Sequence, residues 1–309
     1  MPFPLPTHPL QTSPYDDESL IGFVFRLAKR RMVIGHAVFE QAGIQWPSNR
    51  LSLNELESLS KITGTPLADL QRISYGQSGS QWMWFRGRKL PSVLLGGWLA
   101  SRRFCPACLS ESAHHRPWWD LTIISICPVH RLKLLDTCET CGKKPTWRGA
   151  GVDRCMCGAD LSMARFIGID ELSAMATGVM HGLLGDTRFS KHRGRIRSLL
   201  PIHDLDDGNA IDFLWRLSLV SYGAARTGIF SPDKPGEAAL NAHLALVLAF
   251  NCLEPWPEAF GETLDRMAER WGAKLTRGAV RRWLDRLPAG QGNMIGAALD
   301  SYATRLRPS

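Results

Sequence analysis

The chain has 309 residues, 44% of them hydrophobic and 21% charged, enough for two or three small domains of ordinary globular composition. Against 29 acidic residues stand 37 basic ones, a formal net charge of +8, which points to a polyanionic partner, most simply nucleic acid, or else to no more than a soluble basic surface. No apolar run reaches the roughly 18 residues of a spanning helix, and Met1-Pro-Phe-Pro-Leu-Pro6 has neither the basic nor the apolar region of a signal peptide, so a reducing compartment is expected, the bacterial cytoplasm or else a nucleus.

Residues 1–14 are Pro-rich and show no periodicity. A helix follows, with Asp16, Asp17 and Glu18 at its start and Lys29, Arg30 and Arg31 at its end, which suits the helix dipole. Leu20, Ile21, Val24, Leu27, Ala28 and Met32 form its apolar stripe. A second helix is expected from Ile34 to Gln41, stopping at Gly43. Ser52 and Glu55 then form a capping box before a helix whose buried edge is Leu53, Leu56, Leu59 and Ile62. Gly64 ends it. Thr65 can cap the next helix, with Pro66 at its first position and Leu67, Leu70 and Ile73 buried. The pair has helix-turn-helix form. Its second helix offers only Asp69, Gln71, Arg72 and Ser74 outward, a poor face for reading bases, so packing or partner binding is expected of it. Trp82, Trp84, Phe85, Arg86, Arg88 and Lys89 follow. They read as a strand packing on the module beyond, with a stacking platform for single-stranded nucleic acid as the alternative use.

Seven of the eight cysteines then fall between Cys105 and Cys157, together with His130. Cys105-Pro-Ala-Cys108 and Cys127-Pro-Val-His130 supply one set of four ligands. Cys138-Glu-Thr-Cys141 and Cys155-Met-Cys157 supply a second. Each set has the number and softness of donors that a closed tetrahedral zinc site needs. Four protein donors leave no vertex for water or substrate, so two structural zinc ions are expected and a metalloenzyme is not. Consecutive sets need less chain crossing. A cross-braced pairing, Cys105/Cys108 with Cys138/Cys141 and Cys127/His130 with Cys155/Cys157, stays open. Disulfides would suit a secreted chain. Trp118, Trp119 and the strand-like run Leu121–Cys127 are expected to stitch the two knuckles together, because small zinc modules have little core of their own.

From Asp170 onward the sequence reads as helical, with helices over Leu172–Leu184, Ala210–Ala225 and Ala238–Leu253 and a Gly/Pro loop at Ser231-Pro-Asp-Lys-Pro-Gly236. Arg188, Lys191, His192, Arg193, Arg195 and Arg197 form the densest basic cluster, either a solvated loop or a set of phosphate contacts. A second helix-turn-helix form closes the chain: Pro257–Trp271, a break at Gly272, then Thr276–Leu287. In the latter, Val280, Trp283, Leu284 and Leu287 share a face, flanked by Arg277, Arg281, Arg282 and Arg286 as candidate nucleic-acid contacts.

The motif Arg103-Phe-Cys-Pro-Ala-Cys-Leu109, Trp119, Cys127-Pro-Val-His130, Leu134-Leu-Asp-Thr-Cys-Glu-Thr-Cys-Gly142 and Cys155-Met-Cys-Gly-Ala-Asp-Leu161 resembles the TniQ/TnsD family of transposon target-selection proteins. Glu18-Ser19-Leu20 and Arg26-Leu27-Ala28 resemble that family's opening helix, and the likeness covers residues 15–165. It implies a non-catalytic adaptor that binds attachment-site DNA or a Cascade-like, guide-RNA-directed CRISPR complex. It implies recruitment of an AAA+ transposition regulator (TnsC/TniB-like) and, in some members, a homodimer. The alternative is a stand-alone, zinc-containing, sequence-specific DNA-binding regulator. An enzyme is not expected: no His-x-Glu precedes Cys105, and no glycine-rich loop ends in Gly-Lys-Ser/Thr. The expected fold is mainly α. A helix-turn-helix-like domain (1–100) precedes a double zinc module with short strands (101–165), and a helical domain (166–309) follows.

Overall fold

The structure, a computed structural model, describes residues 12–45, 50–77, 81–95, 102–197, 201–225, 241–253, 255–272, 276, 278, 281, 285 and 292–305. The fold is mainly α, with eleven helices and a few short strands among the described residues. The chain divides into two compact units, Met1–Ile169 and Asp170–Ser309. No helix among the described residues is long and apolar enough to cross a membrane.

The first unit opens with α1 (Leu20–Arg30) and α2 (Gly35–Gln41). The Ser19 hydroxyl caps α1 by accepting from the Gly22 amide at 3.1 Å. The three acids before it serve tertiary contacts instead of the dipole. Glu18 is buried and receives Arg26 Nε and Nη2 at 2.7 and 2.6 Å. Asp17 meets His114 Nε2 at 2.8 Å, and Asp16 meets Arg72 at 3.0 Å. Leu20, Ile21, Val24, Leu27 and Ala28 are buried as the stripe predicts, but Met32 is not. It lies past the helix end at φ 56°, almost fully exposed, because the chain turns there into α2.

Helices α3 (Leu53–Thr63) and α4 (Leu67–Ile73) follow. The Ser52/Glu55 capping box is formed, and Gly64 ends α3 in the left-handed region at φ 71°. Leu56 and Leu59 are buried while Leu53 is exposed. Pro66 stands one residue before α4, which has no side-chain cap; Thr65 is buried, and its carbonyl accepts from Ser60 Oγ at 2.7 Å. A three-stranded antiparallel sheet, β1 (Tyr75–Gln77), β2 (Trp82–Phe85) and β3 (Arg88–Pro91), comes next. Arg86 and Gly87 both have positive φ, 50° and 77°, in the two-residue turn joining β2 to β3, the geometry that matches strand twist. Met83, Phe85 and Leu90 line the buried face, where Phe85 meets Trp118 at 6.0 Å between ring centroids. The alternating aromatics therefore split: Phe85 joins the core, while Trp84 stands on the outer face.

Within Asp170–Ser309, Asp170 caps α6 (Glu171–Leu183), and the basic cluster from Lys191 on forms α7 (Ser190–Arg197), with Arg188 in a 3-10 turn just before it. The long α8 (Asp207–Ala225) packs against α9 (Ala242–Asn251) and α10 (Glu258–Trp271), and α9 packs also on α6. Leu214, Leu217, Leu246, Phe260 and Leu264 are core residues there. Gly272 ends α10 at φ 86°, as its position in the sequence suggests. A last helix, α11 (Asn293–Arg305), has no counterpart in the sequence reading. Val280, Trp283, Leu284 and Leu287 lie outside the described residues.

Candidate metal centres

A short helix, α5 (Pro106–Glu111), builds half of the first centre. Cys105 stands at its N-terminal cap and Pro106 at its first position, so Cys108 falls in the first turn, near the sulfur of Cys105. The other half is a hairpin of β4 (Ile126–Cys127) and β5 (Leu132–Lys133). Cys127 ends β4, and His130 lies in the turn before Arg131, which has φ 53°. Mutual hydrogen bonds of Phe104 with Leu135, at 2.9 and 2.8 Å, hold the two halves together. His130 Nδ1 then lies 3.6, 3.3 and 3.5 Å from the sulfurs of Cys105, Cys108 and Cys127, and Cys108 and Cys127 are 3.6 Å apart.

The second centre joins two tight turns. Gly142 and Gly158 close them at φ 68° and 88°, each amide returning to a cysteine carbonyl, Cys138 at 2.8 Å and Cys155 at 3.0 Å. Only the backbone conformation requires glycine there, since a Cβ would meet nothing. The sulfurs of Cys138 and Cys157 are 3.8 Å apart, and so are those of Cys141 and Cys155. The grouping is consecutive: in each set the four donor atoms lie within 4.8 Å of one another.

These separations fit a metal. A tetrahedron with bonds of about 2.3 Å has edges of about 3.8 Å, whereas a disulfide would bring sulfurs to about 2.05 Å. All eight cysteines are unbridged. The two sets can each hold one ion in a closed, four-donor site. Hydrogen bonds from Cys105 and Cys108 hold the Cys127 thiol far below its usual range, while hydrogen bonding within the same cluster raises Cys105 to about 12 and pushes Cys108 up as well. Contact with Cys127, aided by Glu111, raises His130 to about 9 despite burial. Glu111 Oε1 accepts from His130 Nε2 at 2.9 Å, which leaves Nδ1 for the ion.

Two adjacent arginines tie the centres into the unit, and neither stands out as a site in sequence. Arg103 is buried and donates Nε and Nη2 to the Trp119 carbonyl at 2.9 and 2.6 Å. It also reaches Leu121 and Ile124 carbonyls, both at 2.6 Å, fixing the loop that leads to Cys127. Arg102 turns the other way, to the carbonyls of Gly151 and Arg154 before Cys155, with its guanidinium 5.2 Å from the Trp147 ring centroid. Burial lowers both to about 10, so both stay charged at neutral pH. Their long-range backbone targets leave no local signal.

One cluster has the residue types of a nucleophilic triad. Ser19 Oγ is 2.9 Å from His115 Nδ1, and His115 Nε2 is 3.8 Å from Asp120 Oδ1. Ser19 and His115 are 1% and 0% exposed, and the serine hydroxyl is spent capping α1. Burial, then Arg102, Arg116 and Arg103, hold His115 well below its usual range, so it is a neutral core residue. Asp120 accepts from the Tyr75 hydroxyl at 2.5 Å.

The candidate nucleic-acid contacts are spread over separate elements. Arg188 makes a fork onto Asp186 at 2.9 and 2.8 Å, beside the His181–Asp186 contact at 3.0 Å. Burial opposes ionisation of Asp186, but His181 and Arg188 outweigh it and hold the carboxyl well below the usual range. Arg193 pairs with Asp207 at 3.0 Å, and Lys191 is exposed. Arg281 lies near Asp285 at 3.7 Å and Asp300 at 3.5 Å. Arg277, Arg282 and Arg286 lie outside the described residues, as do the side chains of Arg195 and Arg197. In α4, Arg72 is turned onto Asp16 and Asp69, which further weakens that helix as a base reader.

Residues 9–134 match the family model described as TniQ. The span takes in the α3–α4 pair, the sheet and all four donors of the first centre, and ends before Cys138. No curated protein matches the chain.

Proposed function

We propose, from the premise that the chain belongs to the TniQ family through residues 9–134, that it is a non-catalytic targeting adaptor in DNA transposition. In this role it links a target, either attachment-site DNA or a guide-RNA-directed CRISPR complex, to an AAA+ transposition regulator, and it can act as a homodimer. Two structural zinc ions hold its platform, one on Cys105, Cys108, Cys127 and His130, the other on Cys138, Cys141, Cys155 and Cys157. The observation that carries this reading is the saturation of both sets, four protein donors each at tetrahedral spacing. Zinc bound there supplies fixed bonds between distant chain segments and no reactive vertex.

Phosphate contacts are assigned to Lys191 with Arg188, Arg193, Arg195 and Arg197, and to Arg277, Arg281, Arg282 and Arg286. Arg188 and Arg193 carry carboxylate partners, so phosphate must compete with Asp186 and Asp207 for them. Lys191 is exposed. The test is affinity purification of the tagged chain with its native operon. Co-purification of an ATPase, with attachment-site DNA or guide RNA, supports the adaptor. A chain that binds one DNA sequence and draws no ATPase overturns it.

A further inference from the structure

We propose that the outward face of the β1–β2–β3 sheet docks single-stranded DNA, one base stacking on the Trp84 indole and the adjacent phosphate meeting Lys89 Nζ. Trp84 sits in the central strand and is 45% exposed. Its two cross-strand neighbours are Gly76 in β1 and Lys89 in β3. A Cβ on Gly76 would stand 3.2 Å from the Trp84 Cβ, so the glycine places no side chain against that flank of the indole. On the other flank Lys89 is exposed and holds its ammonium 5.3 Å from the ring centroid of Trp82, the next residue along the same face.

Charge selects the occupant. Between Asp69 and Glu111 the sequence contains no acidic residue and six basic ones: Arg72, Arg86, Arg88, Lys89, Arg102 and Arg103. Arg102 and Arg103 are buried and Arg72 is paired with Asp16 and Asp69, so the positive potential near this face comes from Lys89, with Arg86 and Arg88 at the β2–β3 turn. An aromatic face with a cation beside it and no carboxylate in that stretch suits a polyanion that offers planar bases. A duplex keeps its bases stacked inside, so only an unpaired strand can use the indole. Indole and ammonium serve any base, so the contact is tolerant of sequence. The choice of DNA over RNA rests on the targeting reading above, in which the sheet would hold a locally melted target strand.

The experiment measures anisotropy of labelled oligonucleotides of about 15 nucleotides, the length of a typical single-strand site, against the full zinc-loaded chain. The probes are oligo-dT, a mixed duplex of the same length, and oligo-rU. Trp84→Ala should weaken oligo-dT binding about tenfold and leave duplex affinity unchanged. Trp84→Phe, which keeps a ring, should restore most of it. Lys89→Gln should lower the salt slope on oligo-dT by about 0.7, one phosphate's share on a single strand. Zinc content and melting temperature report that each variant is folded. The proposal is overturned if folded Trp84→Ala binds oligo-dT like the parent, if it loses duplex and single strand alike, or if only oligo-rU binds. It is overturned too if the substitution abolishes ATPase co-purification and spares oligo-dT, since the face then meets protein. Failure here with the ATPase still co-purifying leaves the adaptor reading standing. Oligo-dT binding without any ATPase partner does the reverse.

Discussion

Glu111 Oε1 lies 2.9 Å from His130 Nε2, on the far side of the ring from the three sulfurs of the first centre. The carboxylate fixes the tautomer that offers Nδ1 to an ion and raises its basicity. Glu111→Ala is expected to lower metal affinity at that centre by about 10- to 100-fold, the usual loss for such a partner. Competition with a chromophoric chelator measures it. Unchanged affinity would mean that the solvent-exposed carboxylate contributes no orientation.

The two centres differ in shelter. All three cysteines of the first are buried, whereas Cys157 of the second is exposed and Cys141 half-buried. A chelator or a thiol alkylating agent should therefore strip the second centre first, giving two kinetic phases of metal release. Cys157→Ser should abolish the fast phase alone. A single phase, or loss of the slow one, would contradict this ordering.

Arg103 makes four hydrogen bonds to three buried carbonyls, and a lysine cannot reproduce that fork. Arg103→Lys leaves acceptors unpaired and should cost about 3 kcal/mol of stability, read from the denaturant midpoint of the zinc-loaded chain. A shift below a third of that would show the carbonyls are satisfied in another way.

Burial pushes the Asp120 carboxyl up to about 7, against the opposing influence of Tyr75 and Arg103. In the unfolded chain it titrates near 3.9. Between those values the folded state holds a proton that the unfolded state has lost. Stability from this group is thus full below about pH 4, falls by about 1.4 kcal/mol per pH unit on the way up, and levels off above about 7. Asp120→Asn keeps an acceptor for Tyr75 and removes the slope. Denaturant melts of both proteins at pH 6 and 8, with zinc saturating, compare them. Parallel pH dependence would show that Asp120 ionises normally.

What could be read from sequence was what depends on neighbours along the chain. The cysteine spacings, the Ser52/Glu55 box and the Gly64 and Gly272 stops are local patterns, and the structure forms the box and both stops. The two closed donor sets follow the consecutive grouping. Features that depend on distant partners were not readable. Glu18 looked like a dipole complement to α1 but is clasped by Arg26 in the core, and Asp17 reaches His114. Met32 continued a helical stripe on paper, yet the helix ends at Arg30. The basic block at Lys191–Arg197 folds as α7, a possibility its charge obscured. Arg102 and Arg103 take backbone carbonyls as partners, and carbonyls carry no side-chain signature.

The proposed platform requires that each donor set hold one metal ion with complete protein coordination. The most direct measurement is metal content together with X-ray absorption of the purified chain. Two zinc ions per chain are expected, with sulfur and one imidazole nitrogen per pair of sites and no oxygen donor. One zinc, a water-ligated zinc, or cysteines recovered as disulfides would contradict it.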